Sequence, residues 1–116
     1  PYNLKKNQIA YVGTHDNQTV MGWTKELSSE ALTFCKEYIR YREGDDFNWA
    51  MIKELMATVC DTAIVQAQDL LGLDENARMN APSTVGRNWQ WMASDGCFTD
   101  EIKEKLKELT HTYGRA

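Results

Sequence analysis

The sequence predicts an α/β fold dominated by helices, with at most two short strands running parallel. Three observations carry this reading. Ile9 to Gly13 and Thr62 to Val65 are short apolar runs rich in β-branched or aromatic residues, the composition of buried strands. Helical patterns fill the chain between them, and a connection of that length joins parallel strands. A further helical pattern follows Thr99. Parallel sheets are covered on both faces, and two strands alone make a poor sheet. The pair is therefore expected to belong to a larger barrel or sheet.

The elements follow in order. After the first strand, Thr14 to Thr19 is polar. Val20-Met21-Gly22-Trp23 through Leu27 then reads as one or two helical turns, with Asp16 or Asn17 as cap. Ser28-Ser29-Glu30 opens a second helix, capped by Ser28 or Ser29, with Leu32, Cys35, Tyr38 and Ile39 as its apolar stripe. It is expected to stop near Glu43-Gly44-Asp45. A third helix begins after Asp45-Asp46, where Phe47, Met51, Ile52, Leu55, Met56 and Val59 recur with the helical period. Thr62 to Val65 either extends that helix or forms the second strand, and the strand is favoured. Gln68 to Leu73 reads as a tight turn or short helix. Asp74 to Gly96 is long, polar and aromatic, and such stretches are functional or disordered. Its two tryptophans argue against disorder, and Met79 and Met92 are read as packing residues. Thr99 caps the last helix, Asp100 and Glu101 suit its dipole, and Ile102, Leu106, Leu109 and Tyr113 form its stripe.

Composition narrows the function. The 116 residues suit one domain, 42% are hydrophobic, and the net charge is −4. Charges are spread along the chain, so no basic stripe points to nucleic acid. The dense run Asp100 to Glu108 alternates in sign, as a solvated helix face does. No apolar run is long enough to suggest a membrane span. Cys35, Cys60 and Cys97 are odd in number and far apart, which argues against a zinc site or disulfide framework. Reduced thiols fit a reducing compartment, so cytoplasmic localisation is expected, and no cofactor is expected. The chain opens on Pro1 with mid-chain character and is read as a cut piece of something longer, residues 1–116 forming a single segment.

The chemistry concentrates in Gly13 to Thr19, "GTHDNQT". A histidine beside an aspartate just past a strand end either caps the next helix or faces a ligand, because both side chains are costly to bury unpartnered. In parallel barrels, functional groups sit at the C-terminal ends of strands. There the Asp16 carboxylate can stabilise developing positive charge or accept hydrogen bonds from sugar hydroxyls, and a neutral His15 can donate one. Glycosidic cleavage needs two carboxylates. Asp69, after the second strand, is the nearest analogue of a partner for Asp16, and a helix cap or structural hydrogen-bonder is its competing reading. No GxSxG occurs, and a metal site on His15, Asp16 and His111 would need convergence across nearly the whole chain. Asn80, Asn88, Trp89 and Trp91 lie in the long loop. They either contact sugar or anchor the loop to the core.

Two stretches are more specific. "PYNLKKNQIAYVGTHDNQTVMGW" resembles a segment of the amylomaltases, the 4-α-glucanotransferases of glycoside hydrolase family 77 in the α-amylase clan. "VQAQDLLGLDENARMNAPSTVGRNWQWM", from Val65 to Met92, is similar to a second segment of that family in the same order. The resemblance covers essentially the whole chain. It implies the C-terminal piece of a (β/α)8 TIM barrel in a longer enzyme. That enzyme would transfer α-1,4-glucan segments between maltodextrins, with retention, through a covalent glucosyl intermediate. By resemblance, Asp16 matches the third carboxylate, which stabilises the transition state. His15 matches a neighbour that bonds the same sugar, and Asn80 a loop asparagine near the donor subsites. Asn88, Trp89 and Trp91 match a motif that suits structure as readily as binding.

The sequence departs from the family pattern at several points. Gln18 stands where an acidic residue is common, Ala81 and Ser83 where threonine and glycine are, and Met92 where arginine is usual. The family's R-x-D-H nucleophile and E-D-L-G acid/base motifs are absent, so the chain alone is expected to be inactive. The implied partners are a maltodextrin and the rest of the barrel. A second reading is a non-catalytic helical binding or interaction module. A third is an independent helical fold of the isolated piece. In that state the apolar sheet face of Ile9, Tyr11, Ile64 and Val65 should repack, self-associate or aggregate.

Overall fold

The computed structural model describes residues 2–115. It is helix-dominated, with one two-stranded parallel sheet among the described residues. Strand β1 (Ile9–Tyr11) pairs with β2 (Thr62–Ile64) in the register Ile9–Thr62, Ala10–Ala63 and Tyr11–Ile64. The crossover between them carries α1 (Val20–Glu26), α2 (Ser29–Tyr38) and α3 (Phe47–Met56). After β2 come α4 (Ala67–Leu70), a 3-10 turn over Glu75–Ala77, a long loop, and α5 (Asp100–Thr112).

Helix α3 is the centre of the packing. Its Leu55 meets Ala10 of β1 and Cys60. Phe47 meets Val20 of α1 and Ile39 after α2. Trp49, Ile52 and Met56 meet Ile102, Leu106 and Leu109 of α5 and Tyr113, its C-cap. Ile52 is fully buried, and burying such a side chain contributes about 1.5–3 kcal/mol. Val12, just past β1, packs against all three clusters and so ties the strand to the helices. Strand alternation separates two faces. Ala10 points into the core, while Ile9, Tyr11 and Ile64 stay exposed and Val65 is half-buried. The expected apolar face is thus present as Ile9, Tyr11 and Ile64, but Val65 does not belong to it: it follows β2 on the opposite side and packs against the core around Leu55 and Ile52.

Several boundaries differ from the sequence reading. The cap of α1 is Thr19, whose hydroxyl accepts from Gly22 N–H, and neither Asp16 nor Asn17. Those two belong to an earlier turn that closes on itself. Helix α2 is capped by Ser28, as read, but ends at Tyr38, well before Glu43. Arg40 there adopts a left-handed φ of 52°, Tyr41 N–H donates to Lys36 O, and Arg40 N–H donates to Glu37 O. This closing pattern favours glycine, so an arginine there gave no signal. Helix α3 ends at Met56, which leaves Val59 exposed rather than on the stripe. Met92 is also exposed and packs nothing away, while Met79 is half-buried.

Arg115 explains how α3 can end inside the fold. Its guanidinium donates to Met56 O at 2.7 Å, Cys60 O at 2.9 Å and Thr58 O at 2.7 Å. These carbonyls would otherwise be orphaned at the helix end. Lys105 of α5 adds a second tie, 3.2 Å from Asp46 Oδ2 and 4.8 Å from the centre of the Trp49 ring. Arg115→Ala is expected to lower stability by about 1–3 kcal/mol, because a charged donor to several carbonyls is lost. Denaturant unfolding of the polypeptide carrying this chain checks it, and an unchanged midpoint would mean that water replaces the guanidinium without cost.

Candidate functional site

The site begins where β1 ends. Gly13 lies close to two polar side chains: a Cβ there would sit 3.2 Å from Gln66 Nε2 and 3.4 Å from Asn17 Cβ. The chain then makes a tight turn. Asn17 N–H donates to Thr14 O at 2.9 Å, and Asn17 Oδ1 accepts from Thr14 N–H at 2.8 Å and Thr14 Oγ1 at 3.0 Å. His15 and Asp16 are the two middle residues of this turn, so both side chains project outward, 56% and 49% exposed. Gln18 ties the far side of the turn to α1: its Nε2 donates to Glu26 Oε1 and its Oε1 accepts from Thr19 N–H. Gly22 leaves space for that side chain.

A second segment, Arg78 to Asn80, crosses the turn and locks it. Asn80 N–H donates to His15 O at 3.0 Å, and Asn80 Nδ2 donates to Asp16 Oδ1 at 2.7 Å. Arg78 Nη2 donates to Asp16 O at 2.7 Å, and Arg78 Nε donates to Asn80 O at 2.9 Å. His15 Nε2 lies 3.3 Å from Asp16 Oδ1. The structure therefore brings together His15, Asp16 and Asn80, all three residues singled out in the sequence. Arg78 was missed. The signal was present in "ARMN", where Arg78 and Asn80 are two apart and so share a side of an extended segment.

The loop aromatics divide. Asn88 is fully used within the loop: its Oδ1 accepts from Ala81 N–H, and its Nδ2 donates to Thr84 O and Oγ1. It is a structural residue in this arrangement. Trp89 has a left-handed φ of 61° and donates its N–H to Met79 O. Its ring is tilted 40° to His15 with centroids 5.1 Å apart, and the residue is 62% exposed. Trp91 is half-buried.

Asp69 stands apart from this surface. It is 1% exposed, and its Oδ1 accepts from Val20 N–H at 2.8 Å. It is a structural hydrogen-bonder in this chain, the alternative reading of its sequence. Burial pushes its carboxyl above the usual carboxylate range, partly offset by the Val20 N–H. Below the turn, a cavity of about 360 Å³ is lined by Asp16, Val20, Trp23, Met51, Asp69 and Arg78, among others. His111 is exposed on α5, and no group of three His, Cys, Asp or Glu side chains among the described residues could hold a metal.

Chemically, this arrangement presents one fixed carboxylate. Asp16 Oδ1 is held by Asn80, while no protein donor reaches Oδ2 among the described residues. Hydroxyls are the natural complement of such an oxygen. The 4-alpha-glucanotransferase family matches residues 1–98. The chain belongs to that family. A 4-alpha-glucanotransferase of Clostridium butyricum is 43% identical over 116 residues, covering 99% of this chain and 24% of its own. The chloroplastic/amyloplastic 4-alpha-glucanotransferase of Arabidopsis thaliana is 36% identical, covering 99% of this chain and 20% of its own. The solved amylomaltase from Streptococcus agalactiae in complex with acarbose superposes with a TM-score of 0.95 at 39% identity. That match covers 98% of this chain and 23% of the amylomaltase. The chain thus spans between a fifth and a quarter of the length of these relatives.

The lock on Asp16 makes a testable claim about charge. Asn80→Asp would set a second carboxylate at hydrogen-bond distance from Asp16, and two such groups cannot both ionise cheaply. One of the pair is expected to titrate above the ordinary carboxylate range. Its folded-state value then exceeds its unfolded one, so stability is full at low pH and falls as pH rises through the raised value. Melting temperatures across pH, compared with the parent sequence, check this. Superimposable curves would rule out the Asn80–Asp16 contact.

Proposed function

We propose that this chain is the C-terminal part of the catalytic (β/α)8 barrel of a longer 4-α-glucanotransferase. That enzyme transfers α-1,4-glucan segments between maltodextrins with retention. The observation that carries this is Asp16, fixed on one oxygen by Asn80 and open on the other, just past the C-terminal end of a parallel strand. Asp16 acts as the third carboxylate. Its open oxygen accepts hydroxyls of the sugar at the cleavage point, and its charge stabilises the oxocarbenium-like transition state. Holding the carboxylate rigidly means that little reorganisation is needed as charge develops.

His15 hydrogen-bonds the same sugar, and its ring rests at a tilt against that of Trp89. Asn80 has a double role: its Nδ2 fixes Asp16, and its amide oxygen accepts from a sugar hydroxyl near the donor subsites. The remaining strands of the barrel cover Ile9, Tyr11 and Ile64. They also supply the nucleophile and the acid/base, whose R-x-D-H and E-D-L-G motifs do not occur in this sequence. The three cysteines are free, which fits a cytoplasmic enzyme. No helix among the described residues is long and apolar enough to cross a membrane.

Asp16→Asn in the longer enzyme keeps the shape and removes the charge. It is expected to lower kcat for glucan transfer by about 10²–10³-fold, the scale of a lost electrostatic stabiliser. The 116-residue chain alone is expected to form no transfer products from a maltodextrin. Chromatography of the product ladder checks both. Full activity in the variant, or transfer by the chain alone, would overturn the assignment.

A further inference from the structure

The deepest charged-type side chain in the molecule is not used by this chemistry. Asp69 is 1% exposed. Its Oδ1 accepts the Val20 N–H that opens α1, and its backbone oxygen accepts from Asn48 Nδ2 of α3 at 2.8 Å. Its Oδ2 is buried without a protein partner. The residue lines the cavity beneath the His15–Asp16 turn, with Val12, Val20, Trp23 and Met51 as apolar neighbours. The charged side chains that line the same cavity are Asp16 from the turn, Glu26 from α1 and Arg78 from the crossing loop. From α3, Asn48 and Met51 are uncharged. Arg78 is already committed to the backbone oxygens of Asp16 and Asn80. No cation hydrogen-bonds Asp69 among the described residues.

We propose that Asp69 is a positioning residue for Asp16, acting as an uncharged hydrogen-bonding group beneath the catalytic turn. The link is short in sequence and continuous in space. Asp69 holds Val20, Thr19 caps the same helix start, and only Gln18 separates Thr19 from the turn bearing Asp16. A negative charge on Asp69 would face a cavity that Asp16 and Glu26 also line, with two acidic groups against one engaged arginine. A neutral carboxyl avoids that repulsion and also avoids the cost of burying an unpaired charge. Burial raises the Asp69 carboxyl above its ordinary range, in the direction this requires. Because the folded-state value lies above the unfolded one, the neutral group's contribution is complete at low pH. It is lost as pH rises through the folded value. Asp69 would thus set an upper pH limit on the order of the turn.

This inference rests on the proposed role of Asp16, and its test separates the two. The experiment uses the full polypeptide that carries this chain, in the native form and as Asp69→Asn and Asp69→Ala. The amide of Asp69→Asn keeps the acceptor for Val20 N–H and is neutral at every pH. The native-minus-Asp69→Asn infrared difference spectrum at neutral pH is expected to contain the C=O band of a protonated carboxyl. Asp69→Asn should keep kcat within about threefold and lose the alkaline fall in kcat. Asp69→Ala should lower kcat at least tenfold with little change in KM. A carboxylate band in place of the protonated one overturns the proposal, as does an Asp69→Asn enzyme as impaired as Asp69→Ala. The infrared band is read without turnover, so a failure of the transferase assignment leaves it standing.

Discussion

Asn80 reaches across 64 residues of sequence to hold Asp16 Oδ1 at 2.7 Å. Most of what the molecule does at this surface follows from that bond. An exposed aspartate in a four-residue turn would otherwise sample several rotamers. Clamped on one oxygen, with its backbone carbonyl also taken by Arg78, it offers a single orientation. The core serves this arrangement from below. Val12 joins β1 to all three apolar clusters, so the strand that delivers the turn is anchored to α3. Beyond the strand, Asp69 fixes the start of α1 and hence the far end of the turn. The turn is held from both ends and from above.

The long loop earns its order in the same way. It contains no sheet and only a 3-10 turn, yet its polar side chains close on its own backbone. Asn88 closes Ala81 to Thr84, and Lys25 of α1 lies 2.6 Å from Glu75 Oε2. That exposed ion pair is worth little alone. Together with the Arg78 bonds it sets where the loop crosses the turn. In contrast, the sheet face of Ile9, Tyr11 and Ile64 stays 40–55% exposed. An exposed apolar parallel sheet is unstable by itself, so the same strands that place the site need further structure over them.

The sequence made the helices and the strand pairing legible, and the reason is periodicity. The stripe of α3 and that of α5 repeat every three to four residues, and β1 and β2 stand out as short β-branched runs. Helix ends were less legible. Arg40 closes α2 in a left-handed conformation that no glycine announced, and Thr19 rather than Asp16 caps α1 because Asp16 sits mid-turn with its carboxylate held by Asn80. His15, Asp16 and Asn80 were legible through their motifs, but composition could not say that they meet. Contact over such a separation is a tertiary fact. Arg78 was missed although "ARMN" sets it two residues from Asn80, because its bonds go to backbone oxygens, which mark no particular residue as its partner. The burial of Asp69 was equally hidden, since an exposed helix-capping aspartate and a fully buried one are spelled alike.

The measurement that tests this account most directly is a crystal structure of the full polypeptide carrying this chain, soaked with a maltooligosaccharide. The account predicts one glucose unit with its hydroxyls within hydrogen-bond distance of Asp16 Oδ2 and His15, while Asn80 still holds Asp16 Oδ1. A glucan bound elsewhere, with Asp16 touching only protein, would contradict it.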